Sequence, residues 1–483
     1  MVNDQAAAPS PQNIQKAPIM LVLISGAFVA ILNQTLLATA LPKIMQDLQL
    51  QETVVQWLQS IFMLVNGIMI PITAFLIERF TTRKLFLFAM GIFGLGTIIC
   101  AIAPNFSFLM AGRVAQAAGA GIIMPLMQTI LFLIFPIEKR GTAMGMFGLV
   151  IAFAPAIGPT LSGWMVEQFP WRSLFYIVLP IVILDIILAY FVLKNVTEQK
   201  KPKVDVLSIT LSTLGFGGLL YGFSTAGSEG WSSMHVLISM IVGAIALAFF
   251  ILRQLKLAQP ILEFRVFKYA TFTLTTALGM VTFMAMIGAA VVLPLLMQTM
   301  LGFTAFESGL ALLPGAILMG VMNPITGRLF DKFGAKWLAV TGLTILTVTT
   351  FMFADLSSET TFVYIATVNG IRMFGISMVM MPVTTAGLNQ LPVNLIPHGT
   401  AMNNTMRQVS GAIGTALLVT VMANTAIPEE GVNGLVHGVN VSFIVAGIFA
   451  VIALIMAFFI KKKKPSANEI QSGASKRKPV TES

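Results

Sequence analysis

The chain has little charge, few histidines and a single cysteine. Asp, Glu, Lys and Arg make up only 10% of its 483 residues and 57% are hydrophobic, which is too apolar for a set of water-soluble domains. Because Cys100 is alone, neither an intramolecular disulfide nor a cysteine-based metal cluster can form. The three histidines lie near the ends of separate apolar segments, and neither H-E-x-x-H nor G-x-x-x-x-G-K-S/T occurs. A membrane-embedded enzyme and an ATP-driven pump are therefore poor interpretations, and no metal site is expected.

Apolar segments of about 20 residues, the length that crosses the hydrocarbon core of a bilayer, dominate the chain. The first is too long for a signal peptide and is expected to be retained. The predicted fold class is an all-α polytopic membrane protein with fourteen transmembrane helices. Its predicted spans are residues 19–41, 54–77, 84–103, 106–135, 141–165, 171–193, 206–225, 234–252, 271–297, 308–330, 336–354, 362–387, 399–424 and 441–460.

The basic residues predict the orientation in the membrane. Lysines and arginines fall in alternate loops, and the opposite loops contain only Lys43 and Arg172. Because cytoplasmic loops are enriched in Lys and Arg, both termini are expected in the cytoplasm, with the chain in the cytoplasmic membrane of a bacterium. The net charge of +10 therefore reflects membrane topology, and no nucleic-acid partner is expected.

The chain repeats itself with a shift of about 250 to 260 residues. Arg113 matches Arg372, and residues 141–144 match residues 399–402, both reading Gly-Thr-Ala-Met. Duplication of this kind is typical of transporters built from two bundles. The predicted organisation is a cytoplasmic N-terminus (1–18), a six-helix bundle (19–193), a linker with two extra spans (194–270), a second six-helix bundle (271–460) and a basic cytoplasmic tail (461–483).

Two polar motifs lie in or beside the loops. Residues 327–336, GRLFDKFGAK, resemble the signature loop of the major facilitator superfamily, G-x-L-a-D-r-x-G-r-k. Its glycines permit a tight turn, and the carboxylate of Asp331 can meet a helix N-terminus or a basic group across the gap between bundles. A degraded copy at residues 74–84 retains Glu78 and Arg83. The predicted cytoplasmic gate is Glu78, Arg83, Arg328 and Asp331.

Three motifs lie inside spans. Residues 154–163 resemble the antiporter signature G-x-x-x-G-P-x-x-G-G of drug exporters, with generic packing of small residues as the alternative. Span 4 resembles the R-x-x-q-G motif, and span 13 the N-t-x-R-q-x-g-G stretch of fourteen-span antiporters. The antiporter-motif residues are Pro155, Gly158, Pro159 and Gly163.

Together these motifs resemble the fourteen-span drug:proton antiporter branch of the major facilitator superfamily, and residues 33–42 are similar to its lincomycin-resistance type. The resemblance implies two bundles that rock about a central cavity lined by spans 1, 4, 9 and 12. It also implies export of small amphipathic compounds or antibiotics by a monomer in the lipid bilayer. The proton gradient would supply the driving force, without a cofactor.

Sparse polar side chains among many Met and Phe residues suit varied amphipathic ligands. The same side chains could instead bond neighbouring helices, or in the case of Arg113 form an internal pair or reach the outer interface. The predicted substrate-cavity residues are Asn33, Gln34, Asn66, Arg113, Gln116, Met124, Gln128, Asn369, Arg372, Asn404, Arg407 and Gln408.

The proton carrier is where the chain departs from the family. Many relatives have an aspartate in place of Asn33, which cannot titrate. Asp185 is the only acidic residue well inside a span, so Asp185 and Arg113 are the predicted proton-coupling residues. Span 6 is peripheral in this fold, which leaves open a contact of Asp185 with an amide, a headgroup or Lys194. His398 is expected in a solvated loop.

Two other transport functions stay open from sequence. A native lipid, peptide or metabolite could be the exported compound, or the chain could import a nutrient with protons. The antiporter motif favours export over import.

Overall fold

The computed structural model describes residues 16–197, 199–200 and 202–460. Within these residues, fourteen helices are long and apolar enough to cross a membrane, which confirms the predicted number of spans. In chain order they are α1 (Lys16–Leu36), α2 (Trp57–Arg79), α3 (Thr82–Ala101), α4 (Phe106–Ile134), α5 (Arg140–Gln168), α6 (Ser173–Val192), α7 (Val206–Glu229), α8 (Met234–Lys256), α9 (Ala270–Leu295), α10 (Ala305–Phe333), α11 (Ala335–Met352), α12 (Phe362–Leu388), α13 (Ile396–Thr425) and α14 (Gly431–Ala457).

Short helical segments fill several connections. Leu41–Asp47 and Glu52–Val55 join α1 to α2, and a π-helical segment, Leu296–Met300, extends α9. Single 3-10 turns cover Ala38–Ala40, Ile137–Lys139, Phe264–Lys268, Val393–Leu395 and Pro428–Glu430. The predicted basic tail and most of the predicted N-terminal segment lie outside the described residues.

Local sequence explains where several helices begin. Side-chain oxygens of Thr81 and Asn105 accept hydrogen bonds from the backbone N–H groups of Lys84 and Phe108 at the starts of α3 and α4. Thr304 and Glu307 form a reciprocal capping box at the start of α10. These caps satisfy backbone donors that a helix start otherwise leaves without partners.

The helices pack in a way that follows the internal repeat. The most extensive packing between the α1–α6 and α9–α14 sets is that of α5 on α10, and α2 also packs on α13. Glycines allow this close approach: a Cβ on Gly141 would lie 2.5 Å from the backbone oxygen of Gly327. The remaining helices α7 and α8 pack on each other, and α7 also contacts α2 and α13.

The outer surface is apolar. Large hydrophobic side chains such as Phe191, Ile241 and Phe459 are exposed. A surface of this kind fits lipid better than water, so the chain is a multi-pass membrane protein.

One end of the molecule collects the basic loops. Because successive spans are antiparallel, α2, α4, α10 and α12 end where α5, α11 and α13 begin. We term this the basic end, defined by Arg79, Arg83, Lys84, Lys139, Arg140, Lys194, Lys332 and Lys336, and the other end the opposite end.

Candidate functional site

A cavity of about 440 Å³ lies between the two helix sets, within the size range of pockets for drug-sized ligands. Its walls come from α1, α2, α4, α5, α7, α9, α12 and α13. Most of the lining is apolar and includes Ile31, Met63, Leu64, Phe283 and Met286. The flexible methionine side chains can therefore adapt to apolar ligands of different shapes.

The cavity extends unequally toward the two ends. At the opposite end it reaches Trp57, the first residue of α2. Toward the basic end, Met380 and Asn404 are the last lining residues of α12 and α13, and each lies eight residues inside the end of its helix. The cavity is therefore closed toward the basic end.

The linker helix α7 forms part of the wall, which sequence reasoning missed. Leu220, Tyr221 and Phe223 line the cavity, and Tyr221 stacks on Trp57 with ring centroids 5.7 Å apart. A Cβ on Gly67 of α2 would lie 2.4 Å from Leu220, so α7 is packed tightly on the first bundle. Gly67 of α2 and Gly217 of α7 are local signals for that approach, since a Cβ on Gly217 would lie 3.0 Å from the side chain of Ile68.

Half of the predicted cavity residues line the cavity. These six are Gln34, Asn66, Met124, Asn404, Arg407 and Gln408. Arg407 is the only Asp, Glu, Lys or Arg side chain among the lining residues that the structure describes.

Arg113 lies behind the wall instead of on it. Its Nη1 donates to Asn33 Oδ1 at 2.7 Å and to Gln116 Oε1 at 3.0 Å, and its Nε donates to the backbone oxygen of Leu58 at 3.1 Å. The guanidinium is fully buried, 4.3 Å from the ring centroid of Phe62. On α4, Ala120 and Met124 reach the cavity, whereas Arg113 holds α1, α2 and α4 together.

The other three predicted residues also lie between helices, away from the cavity lining. Gln128 Oε1 accepts a hydrogen bond from Asn404 Nδ2 at 2.6 Å, which connects α4 with α13. Arg372 Nη2 donates to the backbone oxygen of Ala285 at 2.6 Å. Asn369 is packed against Gly315 of α10, where a Cβ would lie 2.8 Å from its Nδ2.

Asp331 connects the two bundles at the basic end. Its Oδ1 accepts from the backbone N–H of Gly141 at 2.7 Å, and its Oδ2 accepts from the N–H and hydroxyl of Thr142 at 2.8 and 2.6 Å. The carboxylate therefore caps the positive N-terminus of α5. Beside it, Arg140 Nη1 donates to Asn389 Oδ1 at 2.9 Å. Arg328 of the predicted gate is exposed.

Glu78 makes a second connection at the basic end. Its Oε1 accepts from Lys200 of the linker and lies 3.3 Å from His398 Nε2 of α13. His398 Nδ1 accepts from the backbone N–H of Glu263 at 3.3 Å, which assigns the ring proton to the Nε2 that faces Glu78. Arg83 does not take part: its guanidinium lies 4.1 Å from the ring centroid of Tyr190, inside the first bundle.

The expectation of a solvated loop at His398 is wrong. The residue is only 4% exposed, because α13 begins at Ile396, earlier than predicted, and draws the ring between Glu78 and Glu263. The internal repeat contained a signal for this position. His398 directly precedes Gly-Thr-Ala-Met in the second half, as Arg140 does in the first, which places both residues at the start of a helix.

Asp185 lies between α6 and α1, away from the cavity lining. It is 2% exposed, its Oδ1 accepts a hydrogen bond from Ser25, and its Oδ2 has no hydrogen-bond partner among the described residues. Gly26 makes room for this carboxylate, since a Cβ there would lie 2.8 Å from Oδ2. Its neighbour is thus a serine of α1, and not Lys194.

The antiporter motif gives α5 different roles along its length. A Cβ on Gly158 would lie 2.1 Å from Thr35 Oγ1, so this glycine is required for α5 to pack on α1. Pro155 lines the cavity, and α5 stays helical through Pro155 and Pro159. A Cβ on Gly163 would meet nothing within 4 Å.

Two helix sets that enclose an apolar cavity with few polar points, joined by polar contacts at one end, have the architecture of a secondary transporter. The chain belongs to the Major Facilitator Superfamily, whose family profile matches residues 23–415. It is therefore a transporter and not an enzyme, and the resemblance seen in its motifs is confirmed.

Individual relatives cover nearly the whole chain. The chain is 56% identical to the uncharacterized MFS-type transporter YcnB of Bacillus subtilis, over 94% of this chain and 97% of that protein. It is 45% identical to the lincomycin resistance protein LmrB of the same organism, over 95% and 99% of the two chains. A crystal structure of the human organic anion transporter MFSD10 shares the fold, with a TM-score of 0.68 at 12% identity over 92% of this chain and 99% of that one.

Proposed function

We propose that this protein exports small amphipathic compounds, antibiotics among them, across the bacterial cytoplasmic membrane in exchange for protons. The observation that carries the proposal is the cavity that reaches the opposite end while Asp331 and Glu78 join the bundles below it at the basic end. With the basic end in the cytoplasm, this arrangement is an outward-facing state from which a ligand can leave the cell.

Alternating access would require these contacts to break and reform. Asp331, Glu78 and Arg140 each make a polar contact with the other bundle. When the bundles separate, these polar groups become exposed and water can solvate them. Water can replace the hydrogen-bond partners that these groups lose when the bundles separate. They support a gate at the cytoplasmic side.

The similarity to the lincomycin resistance protein LmrB over almost the full chain supports export of antibiotics. The motif on α5 supports the same direction of transport. Export of a native lipid, peptide or metabolite is the competing function, and it shares the same cavity.

We further propose Asp185 as the proton carrier, with the Arg113 network transmitting the change in charge through α1. Support comes from the burial of Asp185, its contact with Ser25 of α1, and its Oδ2 atom, which has no hydrogen-bond partner in the described part of the chain. The same helix contributes Asn33 to Arg113 and Gln34 to the cavity. Ionisable residues inside membrane spans are rare and mark ion pathways or proton relays, and Asp185 has no basic partner among the described residues.

The test uses purified protein in liposomes with an imposed pH gradient and a pH-sensitive dye inside. Lincosamides and amphipathic dyes of neutral, cationic and anionic charge are added in turn. Proton movement that requires both ligand and protein is expected, and Asp185→Asn should abolish it while Asp355→Asn, an exposed carboxylate at the opposite end, should not. If Asp185→Asn retained full proton-coupled export, Asp185 would have no part in coupling. If none of these ligands moved protons, a native lipid or metabolite would become the leading substrate.

A further inference from the structure

We infer that the cavity selects amphipathic compounds with an anionic oxygen group, such as a carboxylate, and that Arg407 binds this group. The inference rests on the proposed function and names its substrate class. It is drawn from the charge of the cavity, the bonding of the arginine and the internal repeat.

The charge on the cavity lining is of one sign, positive. Arg407 of α13 lines it, and no Asp, Glu or His stands among the lining residues that the structure describes. A cationic ligand would therefore find no countercharge and would meet an arginine. An anionic ligand would find a partner for its charge in a setting of low dielectric.

The guanidinium of Arg407 lacks partners within the described part of the chain. The side chain is 4% exposed, makes no hydrogen bond or ion pair there, and has Nε and Nη2 buried without an acceptor. Its nearest compensation is the ring of Phe283, with the guanidinium carbon 5.5 Å from the centroid. Arg113, by contrast, donates three hydrogen bonds. A buried charge left in this state is costly, so an anion that accepts from Arg407 gains more than it would at a satisfied arginine.

The repeat indicates that this charge is specific to the second bundle. The Gly-Thr-Ala-Met match sets Arg407 opposite Leu149 and Gln408 opposite Val150 on α5. An arginine needed for helix packing common to both halves would be expected in both copies, as Arg113 and Arg372 are. Arg407 has no counterpart in the first bundle, so such shared packing does not explain it.

The rest of the cavity suits an apolar body attached to the anion. Asn404, Gln408 and Thr415 lie on the same helix as Arg407 and line the cavity with it. Facing them, Met63, Leu64 and Phe223 supply apolar surface. The volume of about 440 Å³ accommodates a polycyclic group with a short acidic arm.

The test measures binding without transport, in nanodiscs of phosphatidylcholine. The probes are 1-pyrenebutanoate, its methyl ester and the corresponding butyl-trimethylammonium compound, which differ in charge and share one apolar body. Pyrene accepts excitation energy from tryptophan, and Trp57 lines the cavity, so Trp57→Phe supplies the background signal. The carboxylate should bind at least about tenfold more tightly than the ester, because only the carboxylate can form charge-assisted hydrogen bonds with Arg407.

Variants separate this role from a structural one. Arg407→Met should bring the carboxylate and the ester to the same Kd, and Arg407→Lys should keep a reduced preference. Arg372→Met is the matched control: it removes a buried arginine of the same bundle that lies off the cavity, and it should keep the preference. Should Arg407→Met not fold, the comparison of the three probes on the native protein decides the question alone.

Equal binding of ester and carboxylate by the native protein, or tighter binding of the cation, would overturn the inference. So would a full carboxylate preference in Arg407→Met. Carboxylate preference without any ligand-dependent proton movement in liposomes would refute the proposed export function and leave the anion site standing. Proton exchange driven by neutral and cationic ligands, with no carboxylate preference, would refute the anion site alone.

Discussion

The two connections at the basic end are copies of one another, and they are built differently. By the internal repeat, Asp331 corresponds to Glu78, and each carboxylate meets the start of a helix in the other bundle, α5 or α13. Asp331 bonds backbone N–H groups and a hydroxyl, whereas Glu78 meets the side chains of His398 and Lys200. One connection therefore depends on a helix end, and the other on ionisable side chains.

Local packing accounts for this difference. Gly141 has no side chain, and α10 approaches it so closely that Asp331 reaches the backbone. The equivalent Gly399 is packed against Leu391 and Leu388 of its own bundle, where a Cβ would lie 2.2 and 2.9 Å from their side-chain carbons. Glu78 therefore contacts His398, one residue earlier. We expect the Asp331 connection to contribute more to closure, and the following predictions test that order.

The largest effect is expected from Asp331→Asn. The amide keeps one acceptor oxygen but loses the charge that faces the start of α5, so export should fall at least about tenfold, from the loss of charge-assisted hydrogen bonds worth about 1.5–3 kcal/mol each. Initial export rates in proteoliposomes measure this. Asp355→Asn serves as the control, and a rate for Asp331→Asn within twofold of native would contradict the proposed closure.

A comparable loss should follow from Gly141→Ala. The new Cβ would lie 2.4 Å from Asp331 Oδ1 and 2.5 Å from the backbone oxygen of Gly327, so the two helices must separate. Gly309→Ala on α10 is the matched control, since a Cβ there meets nothing within 4 Å. Both variants are compared by export rate and by melting temperature. Equal behaviour of the two alanines would mean that close approach at Gly141 is dispensable.

A smaller effect is expected from Glu78→Gln, about two- to fivefold in export rate, because the amide keeps an acceptor oxygen for His398 Nε2 and loses only the charge, a difference of about 1 kcal/mol. His398→Gln should give a similar loss, and the double variant should add little to either, since both remove the same contact. A double-mutant cycle on initial rates measures this coupling. If Glu78→Gln were as damaging as Asp331→Asn, the two connections would be equivalent after all.

The smallest effect is expected at the opposite end, where Asp47 makes its contacts inside one bundle. Trp171 Nε1 and Arg172 Nη1 each donate to Asp47 at 2.9 Å, and these bonds, that of Trp171 first, hold the pKa of Asp47 below its ordinary value of 3.8. A lowered pKa in the folded state stabilises above pH 3.8, and this contribution is lost as the pH falls through the folded-state value.

Asp47→Asn should therefore lower the melting temperature slightly at pH 7 and by less near pH 3, below the ordinary pKa of 3.8. The effect is small because half of the Asp47 side chain is exposed. Thermal unfolding of both proteins at the two pH values measures it, and export should stay at the native rate. A large drop in export would show that polar contacts at this end also control the transport cycle.

Individual residues show how far the sequence could predict the site. Hydropathy and the alternation of basic loops identified fourteen spans, because both depend only on residues that are close together in the sequence. The repeat and the G-x-L-a-D-r-x-G-r-k loop pointed to Asp331 as a contact between bundles, and the carboxylate does bond the start of α5. Its role as a gate stays a prediction.

Spacing along a helix could not separate Arg113 from Arg407. Both are arginines in apolar spans near amides. Arg113 bonds Asn33, Gln116 and Leu58 outside the cavity lining, while Arg407 faces the cavity and has no hydrogen-bond partner among the described residues. The distinction depends on how each helix is rotated against its neighbours, which the sequence of one helix does not record. The burial of His398 and the contribution of α7 to the wall arise in the same way.

By itself, the sequence determined the membrane class, the span count, the duplication and the family, since each depends on composition or on residues close together in the chain. Only the tertiary structure decided which polar groups satisfy one another and which have no partner among the described residues. A buried polar side chain costs free energy until another group pairs with it, and here those groups come from helices tens to hundreds of residues apart.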